Sequence, residues 1–118
     1  MKKIIFYILL IFTLVNLSGC AKSIEEPTGY LTVNARDGVG ASIVGTTVYL
    51  YDNQYDFNNS LFSETLVTDN SGQVRFEYLT PGVYYVDCDF ESTSGQIITI
   101  SGYGSVSADY ETTITIMP

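Results

Sequence analysis

Thirteen acidic side chains, ten tyrosines, two cysteines and no histidine set the chemistry open to this chain. Without an imidazole there is no Ser-His-Asp triad, no His-liganded zinc and no His general base. Asp87 and Asp89 lie two apart in an alternating run, so both carboxylates share one strand face. Paired carboxylates can cleave glycosides, but a small strand face without a cleft makes this pair an acidic, solvated surface. Asp52, Asn53, Asp56, Asn58 and Asn59 gather oxygen ligands in one stretch, the kind of set that Ca²⁺ takes. Measured from Asp52, the sixth position is Phe57 and the twelfth is Ser63. An EF-hand loop has Gly and Glu there, so a turn-rich loop is the stronger reading and calcium the weaker one. Cys88 stands between the two aspartates, in the apolar stripe of Tyr84, Val86 and Phe90. With no base beside it, it reads as a buried structural thiol. Tyr49, Tyr51 and Tyr85 fall on the opposite, outward set. Such rings can stack on sugars or seed a protein interface, although tyrosine is also a favoured half-buried strand residue. The chain is therefore expected to be noncatalytic and to need no cofactor.

The other cysteine, Cys20, has a different setting. Lys2-Lys3 precede an apolar run from Ile4 to Val15, and Leu17-Ser18-Gly19-Cys20 follows at once. The run is too short for an ordinary membrane-spanning helix, which needs about 20 residues, and it suits the core of a signal peptide. The tetrapeptide resembles the bacterial lipobox. That resemblance implies removal of residues 1–19, a diacylglyceryl group on the Cys20 thiol, and often an acyl group on the new amine. Two or three acyl chains, at about 0.8 kcal/mol per buried methylene, hold a protein stably on a membrane. Removing 19 of 118 residues leaves 99, enough for one domain. The two leader lysines go as well, so 3 basic residues face 13 acidic ones and the net charge falls from −8 to −10. Such a chain repels phosphate backbones, which excludes nucleic acid as a partner.

Residues 20–29 then form the lipidated cysteine and a polar tether containing Pro27. Ala21 is not the Asp associated with inner-membrane retention in enteric-type bacteria. The Glu25-Glu26 pair is similar to acidic signals that send Bacteroidetes lipoproteins to the cell surface, and a solvated charge pair in a linker remains the alternative. The expected location is the bacterial cell envelope, at the outer membrane and open to surface exposure.

Residues 30–118 must position everything else. Alternation with period two, broken every 8–12 residues by turn chemistry, predicts an all-β sandwich of seven strands. Leu31, Val33 and Ala35 form one inward set, followed by Val48 and Leu50, a strand near Phe62–Thr68, Val74 and Phe76, and then Tyr84 to Phe90. A sixth strand is expected over Gln96–Ile100. A seventh is expected as one continuous alternation from Val106 to Ile116. Asp52–Ser60 is expected to be a polar loop, with no amphipathic helix after the leader.

Three stretches carry a more specific resemblance. Val48-Tyr49-Leu50-Tyr51, Thr68-Asp69-Asn70-Ser71-Gly72-Gln73-Val74-Arg75-Phe76 and Leu79-Thr80-Pro81-Gly82-Val83-Tyr84-Tyr85-Val86 are similar to the carboxypeptidase-regulatory-like and collagen-adhesin B-type domains. The likeness spans roughly residues 30–100 and implies a prealbumin-like (transthyretin-like) seven-stranded sandwich. Some collagen-adhesin B-type domains close an internal Lys–Asn isopeptide bond from an early strand. The single lysine after the leader is Lys22, in the tether, so that chemistry is not expected. These domains serve as spacers, adhesin stalks and accessory modules, and the fold names no reaction. The expectation is a membrane-anchored structural or protein-interaction module that meets an envelope protein. The alternative is a surface module for glycan or calcium.

Overall fold

The computed structural model describes residues 27–118. Cys20, Lys22 and Glu25-Glu26 lie outside the described residues. Seven strands and one short helix follow in order: β1 (Gly29–Ala35), β2 (Thr47–Tyr51), α1 (Gln54–Asn58), β3 (Glu64–Val67), β4 (Gln73–Leu79), β5 (Gly82–Glu91), β6 (Ile97–Val106) and β7 (Glu111–Ile116). They make two sheets, one of three strands in the order β4-β1-β7 and one of four in the order β3-β2-β5-β6. The fold is the seven-stranded prealbumin-like sandwich that the alternation and the motifs predict.

The inward sets of both sheets meet in one core. Leu31, Val33, Val48, Leu50, Phe76, Val86, Cys88, Ile100 and Ile116 are all buried. The Asp69–Gly72 turn shows how local chemistry sets the register. The Asp69 carboxylate accepts from the backbone N–H groups of Ser71 and Gln73, and Gly72 takes a φ of 71°. A Cβ on Gly72 would also come within 2.9 Å of the Ala35 carbonyl oxygen, so both conformation and space demand glycine there. The turn carries the chain from β3 in one sheet to β4 in the other. Its Gly72 carbonyl accepts from the Ala35 N–H at the end of β1, where Val74 lies opposite Val33 and Phe76 opposite Leu31.

Four expectations need correction. The Asp52–Ser60 stretch is not simply a polar loop, because Asn53 caps α1 within it and accepts from the N–H of Asp56. The third strand is shorter than Phe62–Thr68, since Leu61, Phe62 and Ser63 carry the chain from α1 into β3. The continuous run from Val106 to Ile116 is in fact the end of one strand, a turn, and another strand. Val106 closes β6, and Asp109 turns the chain with a φ of 65° before β7 begins. No Gly or Pro marks that turn, and Asp tolerates the left-handed conformation, so the alternation conceals it. Correspondingly β6 does not stop at Ile100. It continues through Gly102 and Gly104, which sit on its inward face because Cβ atoms there would come within 2.7 Å of Ile116 and 2.9 Å of Ile114.

Candidate functional site

The outward face of the four-stranded sheet gathers most of the residues singled out by type. Register does the assembling. β2 runs antiparallel to β5 with Tyr49 opposite Asp87 and Tyr51 opposite Tyr85. β5 runs antiparallel to β6 with Tyr85 opposite Tyr103 and Asp89 opposite Thr99. Tyr49, Tyr51 and Tyr85 therefore do share one sheet face, in the row-by-row arrangement that only strand pairing creates.

That face carries more rings than the sequence reading assigned to it. Phe57 of α1 lies edge-on to Tyr51, with centroids 5.2 Å apart, and is stacked on Tyr85 at 5.5 Å. Tyr85 meets Tyr103 at 5.7 Å, and Phe62 meets Tyr49 at 5.0 Å. Within this set Tyr51 is only 4% exposed, so it is not the open contact residue that outward alternation implied. The reason is α1: the helix folds the loop back over the sheet and sets Phe57 on the Tyr51 ring. The open ends of the aromatic run are Phe62, 54% exposed, and Tyr103, 68% exposed.

Between Tyr49 and the end of β5 lies an open groove of about 630 Å³, lined by Tyr49, Tyr51, Phe62, Asp87, Asp89 and Thr99 among others. The aspartates thus line a concavity where no cleft was expected, although Asp89 is exposed, as a solvated surface residue should be, and Asp87 is half-buried. The Tyr51 hydroxyl donates to Asp87 Oδ1 at 3.1 Å, and the Thr99 hydroxyl donates to Asp89 Oδ1. Burial holds the Asp87 carboxyl above its ordinary value; the bond from Tyr51 pulls the other way and the Asp89 charge adds to the rise. Burial, reinforced by Asp87, pushes the Tyr51 phenol up to about 12. Cys88 points inward from the same strand, and burial pushes its thiol up to about 11, with Asp87 and Asp89 adding to the effect. A thiol in that state is a poor nucleophile at neutral pH.

The residues of the weaker, calcium reading are engaged in local structure. Asn53 and Asp56 are committed to each other in the cap, with Asn53 Nδ2 also donating to Asp56 Oδ2 at 3.2 Å. Asp52 accepts from the Ser63 hydroxyl, Asn59 donates from its side chain to the Tyr55 carbonyl, and Asn58 is exposed at the end of α1. Among the described residues no three acidic or cysteine side chains gather as a metal site.

Phe57, Phe62 and Tyr103 are the contributors that sequence reasoning missed. Tyr103 had a signal, since it continues the outward alternation of Thr99 and Ser101 between two glycines. Phe57 had none, because its role depends on a five-residue helix inside an Asn/Asp-rich stretch.

A second cleft of about 650 Å³ runs beside the first, between the Asp37–Thr46 segment and the β5–β6 turn, with Val39, Val44, Phe90 and Ile98 on its walls. No helix among the described residues is long and apolar enough to cross a membrane.

No protein-family profile matches the chain, and no curated protein does. Solved structures do match. A proposed carbohydrate binding protein from Pseudomonas aeruginosa is 13% identical, with a TM-score of 0.56 over 79% of this chain and 90% of that one. The minor pilin of Streptococcus agalactiae is 23% identical, with a TM-score of 0.57 over 78% of this chain. An (S)-allantoin synthase is 16% identical, with a TM-score of 0.53 over 79% of this chain. The chain spans 44% of the length of the pilin and 41% of that of the synthase. At these identities the likeness is one of fold: the chain has a β-sandwich shared with pilin domains and with proteins of other kinds.

Proposed function

We propose that the chain is a noncatalytic, membrane-anchored envelope module that binds a partner protein through the outward face of its β3-β2-β5-β6 sheet. The observation that carries this reading is the aromatic run on that face, open to water at Phe62 and at Tyr103. Aromatic side chains are the usual anchors of protein interfaces. Acylated Cys20 and the tether to residue 29 would hold the domain at the membrane. The pilin with this fold supports an envelope role by analogy. The lack of any histidine in the chain and the buried, high-pKa Cys88 both favour binding over catalysis.

A second reading, glycan binding at the same face, is favoured by rings that flank carboxylates in an open groove and by the fold shared with the proposed carbohydrate binding protein.

Site-specific photocrosslinking in intact cells tests the proposal. A benzophenone side chain at position 62 or 103 should yield a discrete protein adduct, and one at Tyr78, on the opposite sheet, should not. Adducts from position 78 alone, or from none of the three, would remove the protein-binding reading. In that case, binding to a panel of envelope polysaccharides that is lost on Tyr85→Ala/Tyr103→Ala would establish the glycan reading instead.

A further inference from the structure

Charge is distributed unevenly over the two sheets. The described residues hold eleven acidic side chains and two arginines. Both arginines belong to the three-stranded side. Arg75 of β4 lies 3.9 Å from Glu111 and 4.4 Å over the Tyr30 ring. Arg36, just after β1, donates to the Ala35 and Ser71 carbonyls. None of β2, β3, β5, β6 or α1 contains a basic residue. Among the described residues, Asp87 and Asp89 therefore face the groove with no cation on that sheet.

Each of those carboxylates is half served. Tyr51 and Thr99 donate to Oδ1 of Asp87 and of Asp89 respectively, and no hydrogen bond within the described residues reaches either Oδ2. Alternate residues of a strand stand about 6.5 Å apart on one face, a spacing that one guanidinium or ammonium can bridge. The groove walls beside them are Tyr49 and Phe62, ring faces able to cover an alkyl stem or to attract a cation. Asp89 is exposed and Asp87 half-buried, so a neutral sugar would satisfy the rings and would leave the partly desolvated Asp87 charge uncompensated.

We infer that the groove seats an arginine or lysine side chain of the partner protein, with its charged end between Asp87 and Asp89 and its stem on Tyr49 and Phe62. This inference rests on the protein-binding reading above and narrows it: the partner presents a basic segment to this face. The groove is open, and Tyr51 on its wall leads through Phe57 and Tyr85 to Tyr103, a path that suits a polypeptide lying across the sheet. Charge complementarity then sets which polypeptide is accepted and speeds the encounter.

The test titrates the full chain, in detergent micelles at low salt, with an acetylated Thr-Arg-Thr-Arg-Thr amide, and repeats the titration with citrulline in place of both arginines. The arginine peptide should bind at least tenfold more tightly than its citrulline twin. Asp87→Asn/Asp89→Asn should weaken it by tenfold or more, since an amide keeps the acceptors for Tyr51 and Thr99 but removes the charge. Glu64→Gln/Glu77→Gln removes the same charge away from the groove, on edge strand β3 and on the opposite sheet, and should change affinity less than twofold. Equal binding of the two peptides to the native chain would overturn the inference, and that arm stands even if the Asn variant folds poorly. Equal losses in the two double variants would overturn it too, by showing diffuse acidity rather than a seat. Crosslinks from positions 62 and 103 that survive Asp87→Asn/Asp89→Asn would leave the binding face intact and sink only its cationic occupant, whereas their absence from the native chain would sink the face itself.

Discussion

Asp87 is the residue at which burial and charge conflict most directly. Its carboxyl is raised above 3.8 because the β2–β5 face withdraws it from water, and the Tyr51 hydroxyl only partly offsets that. A raised carboxyl means that the folded chain holds the proton more tightly than the unfolded one. The group's contribution to stability is thus fully present below about 3.8 and is lost as pH rises through the folded value. Asp87→Asn, which imitates the protonated acid, should therefore raise Tm at pH 7. The gain should shrink as pH falls and vanish below about 3.8. Calorimetric melts of the two proteins from pH 3 to pH 8 would show this. Because Asp87 is partly open to solvent, the gain should be small and should diminish in high salt. A gain that persisted at pH 3 would trace to packing instead.

At the scale of the element, β6 explains how a glycine-containing stretch can be a central part of the core. Gly102 and Gly104 follow Ile98 and Ile100 on the inward face, and their missing side chains are the space into which Ile116 and Ile114 of β7 pack. A Cβ on Gly104 would meet Ile114 Cγ2 at 2.9 Å and Leu31 Cδ1 at 3.2 Å. Gly104→Ala should accordingly destabilise the domain by about 1–3 kcal/mol through overpacking. Urea unfolding would read this as a lower midpoint with an unchanged slope. Ser105→Ala, on the exposed face of the same strand, should stay within about 0.5 kcal/mol of the native chain. Helix α1 makes the converse case: none of its residues is buried, yet it decides that Tyr51 is covered while Tyr103 stays open.

At the scale of the molecule, the two sheets carry different surfaces on one core. The four-stranded side is aromatic and acidic. The three-stranded side is where Arg75, Tyr30 and Glu111 satisfy one another. A domain that displays one unsatisfied face gains from being held near its partner, because tethering replaces a bulk search by a high effective concentration. The proposed anchor at Cys20 would provide that. Mass spectrometry of the membrane fraction should find Cys20 as the first residue, carrying a diacylglyceryl mass. Cys20→Ser should release the protein from the membrane. An unacylated mature form, or membrane retention unchanged by Cys20→Ser, would refute the anchor.

The sequence by itself determined whatever follows from local periodicity and turn chemistry. Leu31/Val33, Val48/Leu50 and Tyr84/Val86/Cys88 are inward because alternation leaves one face apolar, and Asp69–Gly72 turns because Asp and Gly supply the caps and the φ that it needs. Those signals are short-range, so they gave the sandwich, the strand count and the inward placement of Cys88. Tertiary structure alone decided what lies beside what. Pairing β2 with β5 put Tyr49 next to Asp87. Pairing β5 with β6 added Tyr103, and folding α1 over the sheet buried Tyr51 and left Phe62 at the rim of the groove. Strand order and a loop's return path depend on contacts between residues tens of positions apart, and no pattern within a single strand encodes them.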